Sequence, residues 1–192
     1  MKVGYSVEGS TDRALLLGLK ERWCPDAALV EGPFRGSTHQ SLRREYRKIC
    51  DQFVLAGVDV MIFLTDGNGN DWRAVQQNER ASFPADRLFQ ALHGVPDRNI
   101  ECWICADADW LGHELHVDPD SLRAEDPQGV FEAAMGITRD DKQEERISAL
   151  VLRAPLRSWL RNRSFEGFYD GARALSQRLG CAIENLREHG HV

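Results

Sequence analysis

No run in this chain of 192 residues is apolar for long enough to cross a bilayer as a helix. The first residues also lack the basic-then-apolar pattern of a secretory leader, so a cytoplasmic location and no membrane partner are expected. Cysteine is sparse: Cys24, Cys50, Cys102, Cys105 and Cys181 form an odd, scattered set of five. That is not the spacing of a disulfide-stapled scaffold. Cys102-x-x-Cys105 has no second pair to complete a zinc site, and it sits within an apolar run, so core packing is expected of it rather than redox chemistry. A basic excess is missing too. With 24 Lys and Arg against 30 Asp and Glu, the net charge of −6 argues against a protein that coats nucleic acid by charge alone. It leaves room for a nuclease, in which acid gathers where cations bind. There are no internal repeats and no low-complexity tract.

What is present starts at residues 3–16. Val3, Tyr5 and Val7 alternate as in a strand, Glu8 follows at its end, Gly9 allows a turn, and Ser10 or Thr11 can cap a helix with Asp12 in its first turn. The design repeats at 58–71: an apolar strand, then Asp66, then Gly67-Asn68-Gly69. Gly67-x-Gly69 is no dinucleotide fingerprint, because the third glycine and an immediate helix are missing. Carboxylates at the carboxyl ends of strands lie where open α/β sheets bind ligands. Two of them with opened turns suggest a shared Mg²⁺ site, since that ion takes a few carboxylates plus waters and substrate oxygens.

Along the chain, a helix is expected over 11–22, broken by Cys24-Pro25, and then a short strand over 27–30 and a loop over 31–37. Ser41 can cap a helix with Leu42, Tyr46, Ile49, Cys50 and Phe53 on one face. Arg43, Arg44, Arg47 and Lys48 occupy the other, a solvated surface or a phosphate contact. Residues 58–64 read as a buried parallel strand, 79–92 as helical beyond Pro84, 94–97 as a turn and 99–106 as the fourth strand. Alternation there would put Glu101, Trp103 and Cys105 on one side; an acid in such a strand is costly unless paired or bound to a cation. Asp71 can supply charge beside Asp66 or cap the next helix. His113-Glu114-x-His116 lacks the zincin spacing, and with Asp109 reads as a surface loop rather than a transition-metal cluster. Residues 118–128 read as a connection. From Arg139 the chain turns basic, and a last amphipathic helix carries Ala172, Leu175, Leu179, Ile183 and Leu186.

Glu8-Gly9 with Asp12, and then Asp66-x-Asn68, resembles the Toprim pattern of primases, topoisomerases and overcoming-lysogenization-defect nucleases. Glu101-Cys102-Trp103 followed by Ala106-Asp107, and Ser164-Phe165-x-x-Phe168, are similar to segments of small stand-alone bacterial Toprim-like proteins, several of them from mobile or defence loci. The resemblance spans most of the chain through short motifs. It implies one α/β domain over 1–192: a mostly parallel sheet flanked by helices, with its core at about 1–117 and a helical extension at about 128–192.

The implied activity is Mg²⁺-dependent (or Mn²⁺-dependent) nuclease or related phosphoryl-transfer chemistry on nucleic acid. Asp66 and Glu101 would hold cations and Glu8 would act as ligand or general base, with Asp12, Asn68 and Asp107 as lesser ligands. Asn68 stands where the family commonly has a second Asp, which weakens the site's charge. Arg43, Arg44, Arg47, Arg153, Arg157 and Arg161 would contact phosphates, the last three at helical spacing near one face. The alternative is a non-catalytic interaction module with a protein partner from a defence or mobile-element operon. A redox or metal-storage role for Cys102 and Cys105 is a distant third.

Overall fold

The structure, a computed structural model, describes residues 1–32, 39–87, 90–136 and 142–188. The loop expected over 31–37 lies outside them from Pro33 onward, as does Arg139. Its framework is βα units: β1 (Lys2–Val7), α1 (Ser10–Trp23), β2 (Ala28–Glu31), α2 (His39–Leu55), β3 (Val60–Leu64), α3 (Trp72–Ser82) and β4 (Ala91–Gly94). A helical region follows: α4 (Glu101–Ile104), α5 (Ala108–Leu115), α6 (Pro119–Leu122), α7 (Gln128–Met135), α8 (Lys142–Arg153), α9 (Leu156–Trp159) and α10 (Arg163–Leu179). The strands form one all-parallel sheet in the order β2-β1-β3-β4, with Tyr5 opposite Ile62 and Phe63 opposite His93. The fold is therefore α/β, a parallel sheet flanked by helices with a helical C-terminal region.

Strand alternation divides the core between the two faces of the sheet. Tyr5 and Val7 face Leu15, Leu16 and Leu19 of α1, with α8 and α10 beyond. On the opposite face Met61 and Phe63 meet Leu42, Tyr46, Ile49, Cys50 and Phe53, the apolar stripe expected of α2. Each such side chain contributes roughly 1.5–3 kcal/mol on burial. Gly18 lets α8 close onto α1, since a Cβ there would lie 2.6 Å from Cβ of Val151.

Several expectations need correction. The fourth strand is Ala91–Gly94, and Glu101–Ile104 is a helix. A short apolar run buried on all sides has no periodicity to tell strand from helix. Tertiary contact decides: Trp103 packs its ring 5.2 Å from that of Phe168, and its Nε1 donates to Ser164 Oγ at 2.7 Å. Gly94 leaves the space, for a Cβ there would fall 2.8 Å from Phe168 and 3.0 Å from Trp103. The helix expected over 79–92 instead ends at Ser82, ahead of Pro84. α2 begins at His39, ahead of Ser41, and Gly9 rather than Ser10 or Thr11 is the N-cap of α1. His113 lies on α5 with His116 as its left-handed C-cap, so the segment is not a loop. α10 stops at Gly180, and Ile183 and Leu186 pack on the core from the coil beyond it. Arg153, Arg157 and Arg161 share no helix face, because Pro155 separates α8 from α9 and Arg161 follows both.

Cysteine pairing is the other difference. Cys24 and Cys181 form a disulfide across a separation of 157 residues, leaving Cys50, Cys102 and Cys105 free. No spacing rule marks such a pair. It exists because α1 and α10 end on the same side of the sheet.

Candidate functional site

The acids expected to matter lie at the carboxyl edge of the sheet. Glu8 directly follows β1 and Asp66 lies two residues past β3, and these strands are neighbours. Between them the strand order reverses: α1 carries the chain from β1 outward to β2 on one face, and α2 brings it back to β3 on the other. That switch point leaves a crevice at the strand ends. The Asp66 backbone N–H donates to the Glu8 carboxylate, tying the two turns together. Asp12 approaches from the first turn of α1, its Oδ2 accepting from Gly9 N–H at 2.7 Å, and is buried. Glu101 opens α4, is 3 % exposed, and accepts from the Thr11 hydroxyl.

These four groups feel one another. Burial and then repulsion from Asp66 push Glu8 up to about 7. Burial, with Asp66 and Glu132 adding to it, raises Glu101 to about 7. Burial alone lifts Asp66 to about 6. Asp12 rises well above the usual carboxylate range through burial, and the charged neighbours that add to the shift are Asp66, Glu101 and Glu8, all acids. Oxygen donors crowded in this way fit a hard divalent cation in their chemistry. Among the described residues, however, no three His, Cys, Asp or Glu side chains form a ready-made metal cage. A cation would need oxygens from water or from a ligand to complete its shell.

The lesser candidates have structural duties. Asn68 is exposed, holds the left-handed conformation at φ 52°, and donates its amide to the Asp66 carbonyl at 3.3 Å. Its backbone N–H donates to the Arg98 carbonyl, so it shapes the turn that presents Asp66. Asp71 caps α3, accepting from Arg73 N–H, and Asp107 caps α5, accepting from Trp110 N–H. Asp109 is exposed and paired with Arg123, and among the described residues it forms no metal-holding group with His113 and His116.

The arginines divide. Arg43, expected at a phosphate, instead pairs through Nε with Glu79 at 2.7 Å. Glu79 is fully buried and also accepts from the Tyr46 hydroxyl. Sequence reasoning missed Glu79; the available signal was an acid whose helix partner faces Arg43-x-x-Tyr46, two α2 residues one turn apart. Arg44 and Arg47 are exposed, as are Arg153, Arg157, Arg161 and Arg163. Arg153 pairs with Glu114 at 3.0 Å. Arg161 lines a polar cavity of about 390 Å³ beside α4, together with Asp97 and Cys102. Cys105 is buried and burial pushes its thiol up, the opposite of a reactive thiolate. His93, also missed, is buried against Phe63, Tyr46 and Phe83, and burial lowers it to about 3.

Comparisons with family models, with curated proteins and with solved structures return no match. No helix among the described residues is long and apolar enough to cross a membrane.

Proposed function

We propose that this chain is a divalent-cation-dependent nuclease, or a related phosphoryl-transfer enzyme acting on nucleic acid, of the Toprim-like kind. One observation carries the reading: Glu8, Asp12, Asp66 and Glu101 are in electrostatic reach of one another at the switch point of a parallel sheet, three of them raised by one another's charge as well as by burial. Acids crowded at that cost without an evident packing reason point to a cation in the working state. Asp66 and Glu101 would hold it, with Glu8 beside them. Mg²⁺, or Mn²⁺, supplies Lewis-acid polarisation of a phosphoryl oxygen and a more acidic water when bound.

The chain's own residues do the remainder. Glu8, only partly buried and raised to about 7, can accept a proton from an attacking water near neutral pH. Asp12 fixes the Gly9 turn that aims Glu8. The Gly67-Asn68-Gly69 turn, pinned to the carbonyls of Pro96, Arg98 and Asp97, sets Asp66. Exposed Arg44, Arg47 and Arg161 would meet a phosphate backbone; Arg43 would not, because Glu79 holds it.

A second reading, the non-catalytic module that meets a protein partner in a defence system, is favoured by the lack of a ready-made cage among the described residues. One assay separates the two. Plasmid, single-stranded DNA and RNA are incubated with the chain in Mg²⁺, in Mn²⁺ and in chelator, and the series is repeated with Asp66→Asn and Glu8→Gln. A nuclease cuts only with cation, loses at least ~100-fold in either variant, and binds its substrate less tightly as salt rises. Cutting that survives chelator or Asp66→Asn overturns the assignment. No cutting of any substrate favours the interaction module.

A further inference from the structure

The carboxyl edge leaves the far end of α1 unused, and that end carries the disulfide. Cys24 caps α1, and Cys181 begins the irregular segment after α10, immediately past Gly180. α1 has 14 residues and is about 21 Å long, so the disulfide lies a full helix away from Asp12. Both cysteines wall an apolar cavity of about 80 Å³ between the sheet and helices α1 and α10, with Val3, Ile62, Phe168 and Ile183 among its lining. One wall is therefore the coil 181–186, which has no ladder or helix of its own. Besides the disulfide, the coil is fastened by contacts with α1 and α10: Glu184 accepts from Arg22 and Trp23 Nε1, the Tyr169 hydroxyl donates to the Glu184 carbonyl and accepts from Leu186 N–H, Cys181 N–H donates to the Ser176 carbonyl, Arg173 donates to Asn185, and Ile183 and Leu186 pack on the core.

We propose that Cys24–Cys181 is a reversible thiol–disulfide strap that holds this coil over the apolar cavity, and that its reduction opens the cavity to a small apolar molecule. Both cysteines are half-buried, so an external thiolate can reach them. The step balances with two equivalents of a low-molecular-weight thiol. The first attacks one sulfur of the bridge and releases the other as a thiol, forming a mixed disulfide. The second attacks that mixed disulfide, freeing the remaining protein thiol and leaving the small molecule as its own disulfide. Two electrons and two protons pass to the protein. Cys50 and Cys105 do not compete as partners, being buried with thiols pushed up by burial. The occupant follows from the lining, almost wholly hydrocarbon. Such a space stays dry and accepts an uncharged apolar group rather than water.

The test uses the unmodified full chain in oxidised and reduced states. Maleimide labelling under denaturing conditions, read by mass spectrometry, should count three thiols after treatment with a small-molecule disulfide and five after a reducing thiol, matching the free and bridged cysteines. On reduction, fluorescence of the uncharged apolar dye Nile red should rise several-fold and limited proteolysis should cut within 181–188, while far-UV circular dichroism stays the same. Cys181→Ser should behave as the reduced protein whatever the redox buffer. Five thiols after oxidative treatment overturn the proposal, as do identical dye binding and cleavage in the two states. So does loss of helical signal on reduction, which would make the bridge a staple of the whole fold.

Discussion

Replacing Glu101 by Gln isolates the cost of burying an ionisable carboxylate among other acids at the sheet edge. The side chain is 3 % exposed, and the folded chain raises it from 4.5 to about 7. At about 1.4 kcal/mol per pH unit, that displacement corresponds to roughly 3 kcal/mol between the protonated and ionised forms. Between those two pH values the folded chain keeps a proton that the unfolded chain has released. Stability from this group is thus fully present below the unfolded value, falls as pH rises through the window, and is gone above about 7. Gln cannot ionise and mimics the protonated acid at every pH. Without metal, then, Glu101→Gln should match the parent near pH 4 and exceed it at pH 8. The expected gain is about 1–3 kcal/mol, the lower end reflecting repulsion shared with Asp66. In a chain of this size that is roughly 3–10 °C in melting temperature. Urea unfolding followed by circular dichroism in chelator, at both pH values, reads it directly. Millimolar Mg²⁺ should reverse the order at pH 8 by binding the folded parent and not the variant. If Glu101→Gln costs as much stability at pH 8 as at pH 4, the ionised carboxylate is not disfavoured in the folded chain, and the reasoning fails.

Substitutions at two further sites, with their controls, probe the scaffold. Arg43→Met strands the fully buried Glu79 beside Tyr46 and should cost about 3 kcal/mol in urea unfolding, whereas Arg44→Ala and Arg47→Ala, at exposed positions, should stay within about 0.5 kcal/mol; equal effects at all three would show that Arg43 is not bound to Glu79. Asn68→Val places a β-branched residue at φ 52° and should lose about 1–3 kcal/mol, while Asn68→Gly is nearly neutral, a contrast that vanishes in thermal melts if the turn can relax.

How much of this was legible in the residues depends on which kind of signal each element carried. β1, α1, β2, α2 and β3 were readable because alternation, a 3.6-residue stripe and glycine turns are local patterns. Glu101 stands out as an informative acid from the sequence even though its segment is a helix and not the strand that alternation suggests. A carboxylate within an apolar run signals a costly burial whether the run is strand or helix. What decides between those two is contact with Phe165 and Phe168, some sixty residues on, and no window around Glu101 contains it. The same contact joins the Glu-x-Trp and Ser-Phe-x-x-Phe segments, two motifs that in the sequence look independent. Arg43 and Cys181 were misjudged for the same reason, since each is defined by a partner far along the chain.

The placement of Glu8 and Asp66 is the part that sequence order comes closest to forcing. Once β1 and β3 are adjacent and parallel, their ends fall on the same edge, one and two residues from their respective acids. The chain leaves β1 into α1 on one face and reaches β3 from α2 on the other, so neither helix can cover both strand ends. The gap that remains is lined by the two turns, whose backbone N–H groups are already engaged: Asp66 N–H by Glu8, Gly9 N–H by Asp12, and those of Gly67, Asn68 and Gly69 by the carbonyls of Pro96, Arg98 and Asp97. A helix dipole at the start of α1 adds positive potential there, which favours one carboxylate. It does not suffice for four: burial raises Glu8, Asp12, Asp66 and Glu101 alike, and repulsion from neighbouring acids adds to it at Glu8, Asp12 and Glu101.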